Sequence, residues 1–497
     1  MTTTMNAAQT LLAGGDDSHP ALVCGSESVT RGELRQAVAR AAGAWRSRGL
    51  VRGDRVAIKL VDGIDWVVAW LGVIWAGGVA VGVNPRVPAE EWAAILGAAD
   101  FRFVLADAGG DRAVPLHSWQ IEHDTWRSEA AAAAPIEPLP MQTEEPAFWV
   151  HSSGTSGKPK AVMHAQRAVL EIERVGRERL GLVPADRILA SSKLFFAYPL
   201  TNALLAGLKI GATVILDPQW PSAENVLAST LVQRPTVLFS VPSLYRNLLK
   251  DGLAPQLAQA GVRLYVSAGE ALPASLREEW KRQTGCTIVN GYGASETLVL
   301  ALVDVDDWRG LQVSPGLSVR ALDETPPGVP CRLLIHGPMI ALGYWQRPDA
   351  QAEHFRDGGF SPSDLFEPGD AGSWRFAGRE DSLVKVHGRW VDLIELEQRI
   401  ALACPALAET AAVSVPDADG VEAVALFYVA LPGAPALDTT SLREHADRLP
   451  PFQRPRWLHA VETLPRSATG KLMRRRLRDL HTTLAEQAVE VVQHDPH

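Results

Sequence analysis

The sequence predicts an α/β protein: a large N-terminal domain of layered α/β sheets with a β-rich subdomain, followed by a small α+β C-terminal domain. Three observations point there. In the N-terminal part, strand-like apolar runs alternate with stretches of helical period, the pattern of helices packed on largely parallel sheets. From Leu311 to Phe376 the apolar runs shorten and are broken by Pro and Gly, which favours β structure. From Leu383 onward helix and strand patterns mix over a shorter span, so the expected domains are 1–380 and 381–497.

The elements follow in order. MTTTMNAAQTLLAGG has neither a basic start nor a long apolar stretch, so no signal peptide is expected. Thr30 and Glu33 form a capping-box signature, and Leu34, Val38, Ala41, Ala42 and Trp45 recur at helical spacing until Gly49 ends the run. A strand is expected at Arg55 to Leu60. Trp66 to Val83 is 18 residues without a charge, near the lower limit for a membrane span. Gly77-Gly78 divides it, which favours a buried helix to Ala76 and a strand Val79 to Val83. Further strands are expected at Phe101 to Leu105, Ala147 to Val150, Thr213 to Leu216, Thr236 to Ser240, Leu264 to Ser267 and Thr287 to Asn290. Ala130 to Met141, rich in Ala and Pro, reads as a surface connection. In the C-terminal part a helix is expected near Leu393 to Ala403, with strands near Ala411 to Val415 and Val424 to Val429. No internal repeat is apparent.

Composition narrows the function. The 497 residues carry 57 Asp plus Glu against 48 Lys plus Arg, a net charge of -9, which argues against a nucleic-acid partner needing a basic face. With 46% hydrophobic and 21% charged residues, the chain can bury large cores. Cys24, Cys286, Cys331 and Cys404 lie far apart, without the spacing of a zinc site, redox pair or disulfide scaffold. A reduced, cytoplasmic setting with no membrane partner is expected.

Three polar, glycine-containing turns each follow an expected strand: His151-Ser152-Ser153-Gly154-Thr155-Ser156-Gly157-Lys158, Ala268-Gly269-Glu270, and Gly291-Tyr292-Gly293-Ala294-Ser295-Glu296. Ligands of open α/β sheets bind outside the carboxyl ends of strands, so the three turns imply one shared site. The first offers hydroxyls, backbone N–H groups and a cation, a set suited to polyphosphate oxygens. It is not a Walker A loop, because only Thr155 and Ser156 separate Gly154 from Gly157 and Pro159 follows Lys158. The third fails as a dinucleotide fingerprint because Glu296 stands where a small residue is needed. It offers instead an aromatic plate, a hydroxyl and a carboxylate able to hold Mg²⁺ with substrate phosphates, although in isolation Glu296 reads more readily as a surface acid. Lysine is scarce, nine residues, yet Lys158, Lys160, Lys385 and Lys471 fall in short polar segments. A compact ammonium aimed at phosphate or carboxylate is one reason to keep Lys over Arg.

Taken in order, HSSGTSGKPKAVMH, SAGEALP, NGYGASET, AGREDSLVKVHGRW and LPRSATGKLMRRRLR resemble the signature motifs of the adenylate-forming acyl-CoA synthetase superfamily. Lys193-Leu-Phe-Phe-Ala-Tyr198 and GREDSLVKVHGRWVD are most similar to benzoate-CoA ligases and their aryl-CoA relatives. The resemblance implies ATP, Mg²⁺ and coenzyme A, and two steps: adenylation of a small aromatic carboxylic acid, then transfer to CoA. It assigns Ser152 to Lys158 to the β- and γ-phosphates, Ser295 to the α-phosphate and Glu296 to Mg²⁺. Gly269, Glu270 and Ala271 with the Gly291-Tyr292-Gly293 turn would enclose adenine, and Asp364 and Arg379 would bind ribose. Lys471 would bridge the acyl carboxylate and α-phosphate during adenylation. Asp381 matches the hinge of a mobile C-terminal domain, after whose rotation the turn from Lys385 to Gly388 would line the pantetheine channel.

Phe196 falls where relatives carry an aromatic gate, although by itself core packing is the expected role. Ala197 and Tyr198 would floor the acyl pocket, and Val299 stands where benzoate ligases commonly carry His. These residues give apolar walls, one phenolic hydroxyl and no charge, suited to a planar neutral ring. Ala161, Ser363, Ser382 and Leu393 also depart from the family pattern, none removing a reacting group. The run Arg474-Arg475-Arg476 is expected to be a solvated helix face rather than a CoA phosphate site. Two other readings stand beside CoA ligation: loading of a carrier-protein phosphopantetheine, and nucleotide binding without catalysis, which Lys471, Glu296 and Asp364 together disfavour.

Overall fold

The computed structural model describes residues 4–107, 120–153, 159–304, 310–324, 326, 329–380, 382–386, 389–404, 406–417, 420–431, 439–465 and 472–493. The chain forms two compact units. The larger comprises Met1–Leu322, Leu333–Pro362 and Pro368–Arg375; the smaller comprises Asp323–Arg332, Ser363–Glu367 and Phe376–His497.

Two sheets dominate the larger unit. The first has seven strands in the order Gly343–Tyr344, Pro159–Ala165, Pro146–Ser153, Val79–Gly82, Arg55–Lys59, Phe103–Ala106 and Gln120–Glu122. Its pairings are parallel except those made by Pro159–Ala165 with its two neighbours. The second has nine strands, with Ile288–Tyr292, Leu264–Ser267, Val237–Ser240, Arg187–Ala190 and Thr213–Leu216 side by side and parallel at its centre. Thr213–Leu216 and Val237–Ser240 are buried throughout, as runs in a parallel sheet covered on both faces must be. The antiparallel pair Pro20–Cys24 and Glu27–Thr30 closes one edge of this sheet. Sequence pattern missed it, because the runs are short and one begins with Pro. Within the β-rich stretch, Ser318–Ala321 runs antiparallel to Leu333 through His336.

Local signals explain the helices. Thr30 Oγ1 accepts from the Glu33 N–H and the Glu33 carboxylate accepts from the Thr30 N–H, so the capping box forms and starts the helix Arg31–Ser47. The uncharged run from Trp66 folds as the buried helix Ile64–Trp75, a turn with Gly77 at φ +86°, and the central strand Val79–Gly82. Among the described residues no helix is long and apolar enough to cross a membrane. The stretch Ala130 to Met141 is not simply a surface connection. Its first residues end the helix His123–Ala132, and the Ile136 and Leu139 N–H groups donate to Ala39 and Trp75 carbonyls.

The smaller unit is α+β. The hairpin Leu383–Val386 with Arg389–Asp392 leads into the helix Leu393–Ala403, capped by Asp392. A three-stranded sheet of Leu407–Pro416, Glu422–Ala430 and Trp457–Ala460 separates two apolar clusters. One contains Leu396, Ile400, Leu426 and Leu442, the other Val413, Phe427, Leu464 and Leu477. Arg474, at the start of the helix Arg474–Gln493, pairs with Glu397 at 2.7 Å, while Arg475 and Arg476 are exposed.

Gly72 gives a sharp packing test. It sits inside the helix Ile64–Trp75, where Ala would ordinarily gain about 0.5–1 kcal/mol from helix propensity. A Cβ there would lie 2.7 Å from Ala41 Cβ, a contact between two packed helices that no side-chain rotation relieves. Overpacking of this kind costs about 1–3 kcal/mol, so Gly72→Ala should lower stability in a urea titration. A stabilised variant would mean that the two helices part easily.

Candidate active site

Because the central strands of the second sheet are parallel and adjacent, the segments leaving their carboxyl ends emerge along one edge. Ser191 to Tyr198 follows Arg187–Ala190, Ala268 to Ala271 follows Leu264–Ser267, and Gly293 to Val299 follows Ile288–Tyr292. Side chains tie them together. Ser191 Oγ lies 2.8 Å from Ser240 Oγ, and the Tyr198 and Tyr245 hydroxyls both donate to the Val266 carbonyl, at 3.1 and 3.0 Å. Ser243 donates through its N–H and Oγ to the exposed Glu270 carboxylate, both at 3.1 Å. That contact braces the turn in which Gly269 takes φ +86° and Gly269 and Ala271 are exposed.

The Gly291 to Glu296 turn is compact. A Cβ on Gly293 would meet the Val299 carbonyl oxygen at 2.7 Å, so only glycine fits there, and one on Gly291 would meet Leu300 Cδ1 at the same distance and force that side chain to shift. Thr297 Oγ1 accepts from the Ala294 N–H at 3.0 Å. Leu298 takes φ +64°, an uncommon conformation for a residue with a Cβ, and folds Val299 back into the core. Tyr292 and Ser295 remain half-buried along this turn.

Glu296 is buried, at 7% exposure, which removes the surface-acid reading. Its Oε1 accepts from the Tyr344 hydroxyl at 2.7 Å, leaving Oε2 without a protein partner among the described residues. Burial, reinforced by the Glu296 charge, pushes the Tyr344 hydroxyl far above the usual phenol range, so it stays a donor. Lys160 Nζ lies 4.7 Å from the centre of the Tyr344 ring. Behind Ser295, His164 Nε2 donates to the Ser295 carbonyl at 2.9 Å. A carbonyl only accepts, so the proton is on Nε2; Nδ1 has no hydrogen-bond partner among the described residues. The His164 ring stacks on Phe148 at 5.1 Å, and burial pulls its pKa down to about 3.

The first polar turn joins the antiparallel strands Pro146–Ser153 and Pro159–Ala165, with Ser152 opposite Lys160. Ser152 Oγ is buried without a hydrogen-bond partner among the described residues. Gly154 to Lys158, Asp381, Gly388 and Lys471 lie outside the described residues. In the smaller unit Arg379 Nη1 stands 3.6 Å from Asp364 Oδ1, and Lys385 Nζ lies 5.7 Å from the Trp390 ring centre.

Two expectations about the acyl segment change. Phe196 is 49% exposed and in contact with Phe195 at 4.4 Å between ring centres, so it is not a core residue. Tyr198 gives its hydroxyl to the sheet carbonyl of Val266, not to a pocket, because an interior donor must be satisfied. Ala197 and Val299 are buried. His164 and Tyr344 were given no role from sequence. A lone histidine near the end of an apolar strand was the available signal for the first; nothing local marks Tyr344, 48 residues from its partner.

One carboxylate with a free oxygen suits a metal that arrives with phosphates. Among the described residues no cluster of three or more His, Cys, Asp or Glu could hold an ion unaided.

Comparison with known proteins gives a consistent result. Residues 13–345 match the family model described as AMP-binding enzyme, and residues 395–471 match the AMP-binding enzyme C-terminal domain. The chain is 36% identical to a 3-hydroxybenzoate–CoA/4-hydroxybenzoate–CoA ligase of Thauera aromatica, over 96% of this chain and 97% of that one. It is 29% identical to a benzoate CoA ligase structure from Burkholderia xenovorans LB400, TM-score 0.82, covering 95% of this chain and 100% of the other. An anthranilate CoA ligase, AuaEII, solved with anthranoyl-AMP is 25% identical, TM-score 0.84, covering 97% and 98%.

His164 should leave a mark on acid stability. The folded state keeps it neutral down to about pH 3, whereas the unfolded chain protonates near 6.5. The unfolded state therefore binds more protons between those values, and stability present above 6.5 is lost as pH falls, by up to about 1.4 kcal/mol per unit. His164→Gln keeps a donor for Ser295 but does not titrate. The stability advantage of the parent over this variant should shrink by roughly 2–3 kcal/mol between pH 7 and 4 in urea unfolding. Parallel curves would place the His164 proton elsewhere.

Proposed function

The chain belongs to the AMP-binding enzyme family, and from that membership we propose that it activates an aromatic carboxylic acid with ATP and transfers the resulting aroyl group to coenzyme A. Benzoate or a singly substituted benzoate is the acid. One arrangement supports this most: the buried carboxylate of Glu296 and the apolar segment Phe196 to Tyr198 leave the same edge of one sheet. The first group suits a metal-bound polyphosphate and the second a neutral ring. The names of the hydroxybenzoate, benzoate and anthranilate ligases support the same acid class.

In the first step a carboxylate oxygen bonds to the α-phosphorus while the bond to the bridging β-oxygen breaks, its electron pair leaving with pyrophosphate. In the second the CoA sulfur bonds to the acyl carbon, the thiol proton is released, and the bond to AMP breaks. Anions meet in the first step, so oriented donors and cations dominate catalysis. Ser152, Ser153 and the Gly154 to Lys158 loop hold the β- and γ-phosphates, and Ser295 meets the α-phosphate. Lys471 holds acyl carboxylate and α-phosphate together. Mg²⁺, when bound, neutralises phosphate charge, and Glu296 Oε2 is the oxygen that would hold it. Gly269 to Ala271 and Tyr292 enclose adenine, and Asp364 and Arg379 take the ribose. The smaller domain, 381–497, turns about Asp381 between the steps, bringing the turn from Lys385 to Gly388 to the pantetheine arm.

An acid panel assayed for pyrophosphate release, with and without CoA, tests the reading. Benzoates should lead, and CoA should convert a single burst into turnover. A preference for octanoate or an α-amino acid would overturn the acid class, and turnover unaffected by CoA would overturn the acceptor.

Lys471→Ala separates the steps. It should lower adenylation by at least about 100-fold, as removal of a transition-state contact does, while supplied aryl-adenylate still reacts with CoA. Equal losses in both would remove Lys471 from the first transition state.

A further inference from the structure

Two opposite charges are buried directly under the acyl segment. Asp62 follows the strand Arg55–Lys59 of the first sheet, and Lys193 follows Arg187–Ala190 of the second; their exposures are 6% and 5%. The Asp62 carboxylate accepts from the Leu194 N–H, at 3.1 and 3.2 Å to its two oxygens. Lys193 Nζ donates to the Asp217 carbonyl at 2.6 Å and to the Gln219 carbonyl. Leu60, Val61, Pro85, Phe195, Pro218 and Trp220 wall the cleft around them. The Phe196 N–H then closes a turn on the Lys193 carbonyl at 2.9 Å, and the Tyr198 hydroxyl anchors the far end on Val266.

Carrying both charges inside is costly. Burial pushes the Asp62 carboxyl up to about 7 and lowers the Lys193 ammonium, each partly offset by the other's charge. Apolar residues of similar size would often be as stable, so stability alone gives no reason for the pair. What the pair does provide is geometry. Asp62 joins the first sheet to the backbone of Leu194, and Lys193 joins the same segment to the loop after Thr213–Leu216.

We propose that Asp62 and Lys193 are positioning residues that set the acid-binding geometry of Leu194 to Tyr198, Asp62 through the Leu194 N–H and Lys193 through the Asp217 and Gln219 carbonyls. This rests on the reading that Phe196 to Tyr198 face the aromatic acid. Neither residue touches the acid; each acts through the backbone it holds. The hydrogen bonds of Asp62 and Lys193 go to Leu194, Asp217 and Gln219 and not to the turns after Leu264–Ser267 and Ile288–Tyr292, so the larger effect is expected on the acid and the smaller on ATP.

Steady-state kinetics on the full chain decides it. Asp62→Ala removes the acceptor and should raise KM for benzoate about tenfold or more, the scale of one lost buried hydrogen bond, with KM for ATP within about twofold. Asp62→Asn keeps an oxygen for the Leu194 N–H and should restore KM for the acid to within about threefold of the parent. Lys193→Met fills the same space without the two carbonyl bonds and should repeat the acid-selective rise, which keeps the test open if Asp62→Ala does not fold. Equal rises in both KM values, no rise in either, or an Asp62→Asn variant as impaired as Asp62→Ala would overturn the positioning role while benzoate turnover by the parent persists. A parent that releases no pyrophosphate with any aromatic acid would overturn both this role and the function it rests on.

Discussion

The hydrogen bond from His164 Nε2 to the Ser295 carbonyl joins the two sheets at the point where their chemistry meets. His164 lies on the strand Pro159–Ala165 of the first sheet, directly after the polyphosphate-type loop; Ser295 lies on a turn of the second. The same strand pairs with Gly343–Tyr344, whose hydroxyl holds Glu296. One strand therefore ties down Ser295 and Glu296 together. Because the bond is buried and its histidine stays neutral, it is neither screened by salt nor weakened by protonation at neutral pH.

Much of the fold was legible because period reports burial. Thr213–Leu216, Leu264–Ser267 and Leu393–Ala403 fall where the pattern puts them, the two strands as apolar runs in a covered sheet and the helix because Leu393, Leu396 and Ile400 bury one face at helical spacing. The run from Trp66 was resolved by the Gly77-Gly78 pair, where the positive φ of Gly77 breaks helix from strand. The Pro20–Cys24 hairpin was not legible, because a short edge element is fixed by its neighbour across the sheet and not by its own composition.

The site was legible in its turns and illegible in its supports. Gly293 is forced by backbone approach within 3 Å and Gly291 by the Leu300 side chain packed against it, and such requirements write themselves into the sequence. Tyr344, His164, Asp62 and Lys193 act across separations from 24 to 132 residues, so no local pattern announces them. The core reading of Phe196 taken by itself failed for a related reason: an aromatic residue beside others looks like core until the burial of Phe195 shows which of the two faces inward. Tyr198 kept its expected place but not its hydroxyl, which a sheet carbonyl claims.

The hairpin setting of the polyphosphate-type loop has an electrostatic consequence. In the Walker arrangement a helix begins directly after the loop, and its macrodipole adds roughly half a positive charge beneath the phosphates. Here the residues after Lys158 continue as a strand, Pro159–Ala165, paired antiparallel with the strand that enters the loop. Sheet dipoles nearly cancel, so on the proposed function the attraction for polyanion comes from side-chain cations and individual N–H groups. Solvent-facing point charges are screened over about 8 Å at physiological ionic strength. On the proposed function, nucleotide affinity would therefore draw on point charges and single N–H groups with no helix end behind them, and would fall as salt rises.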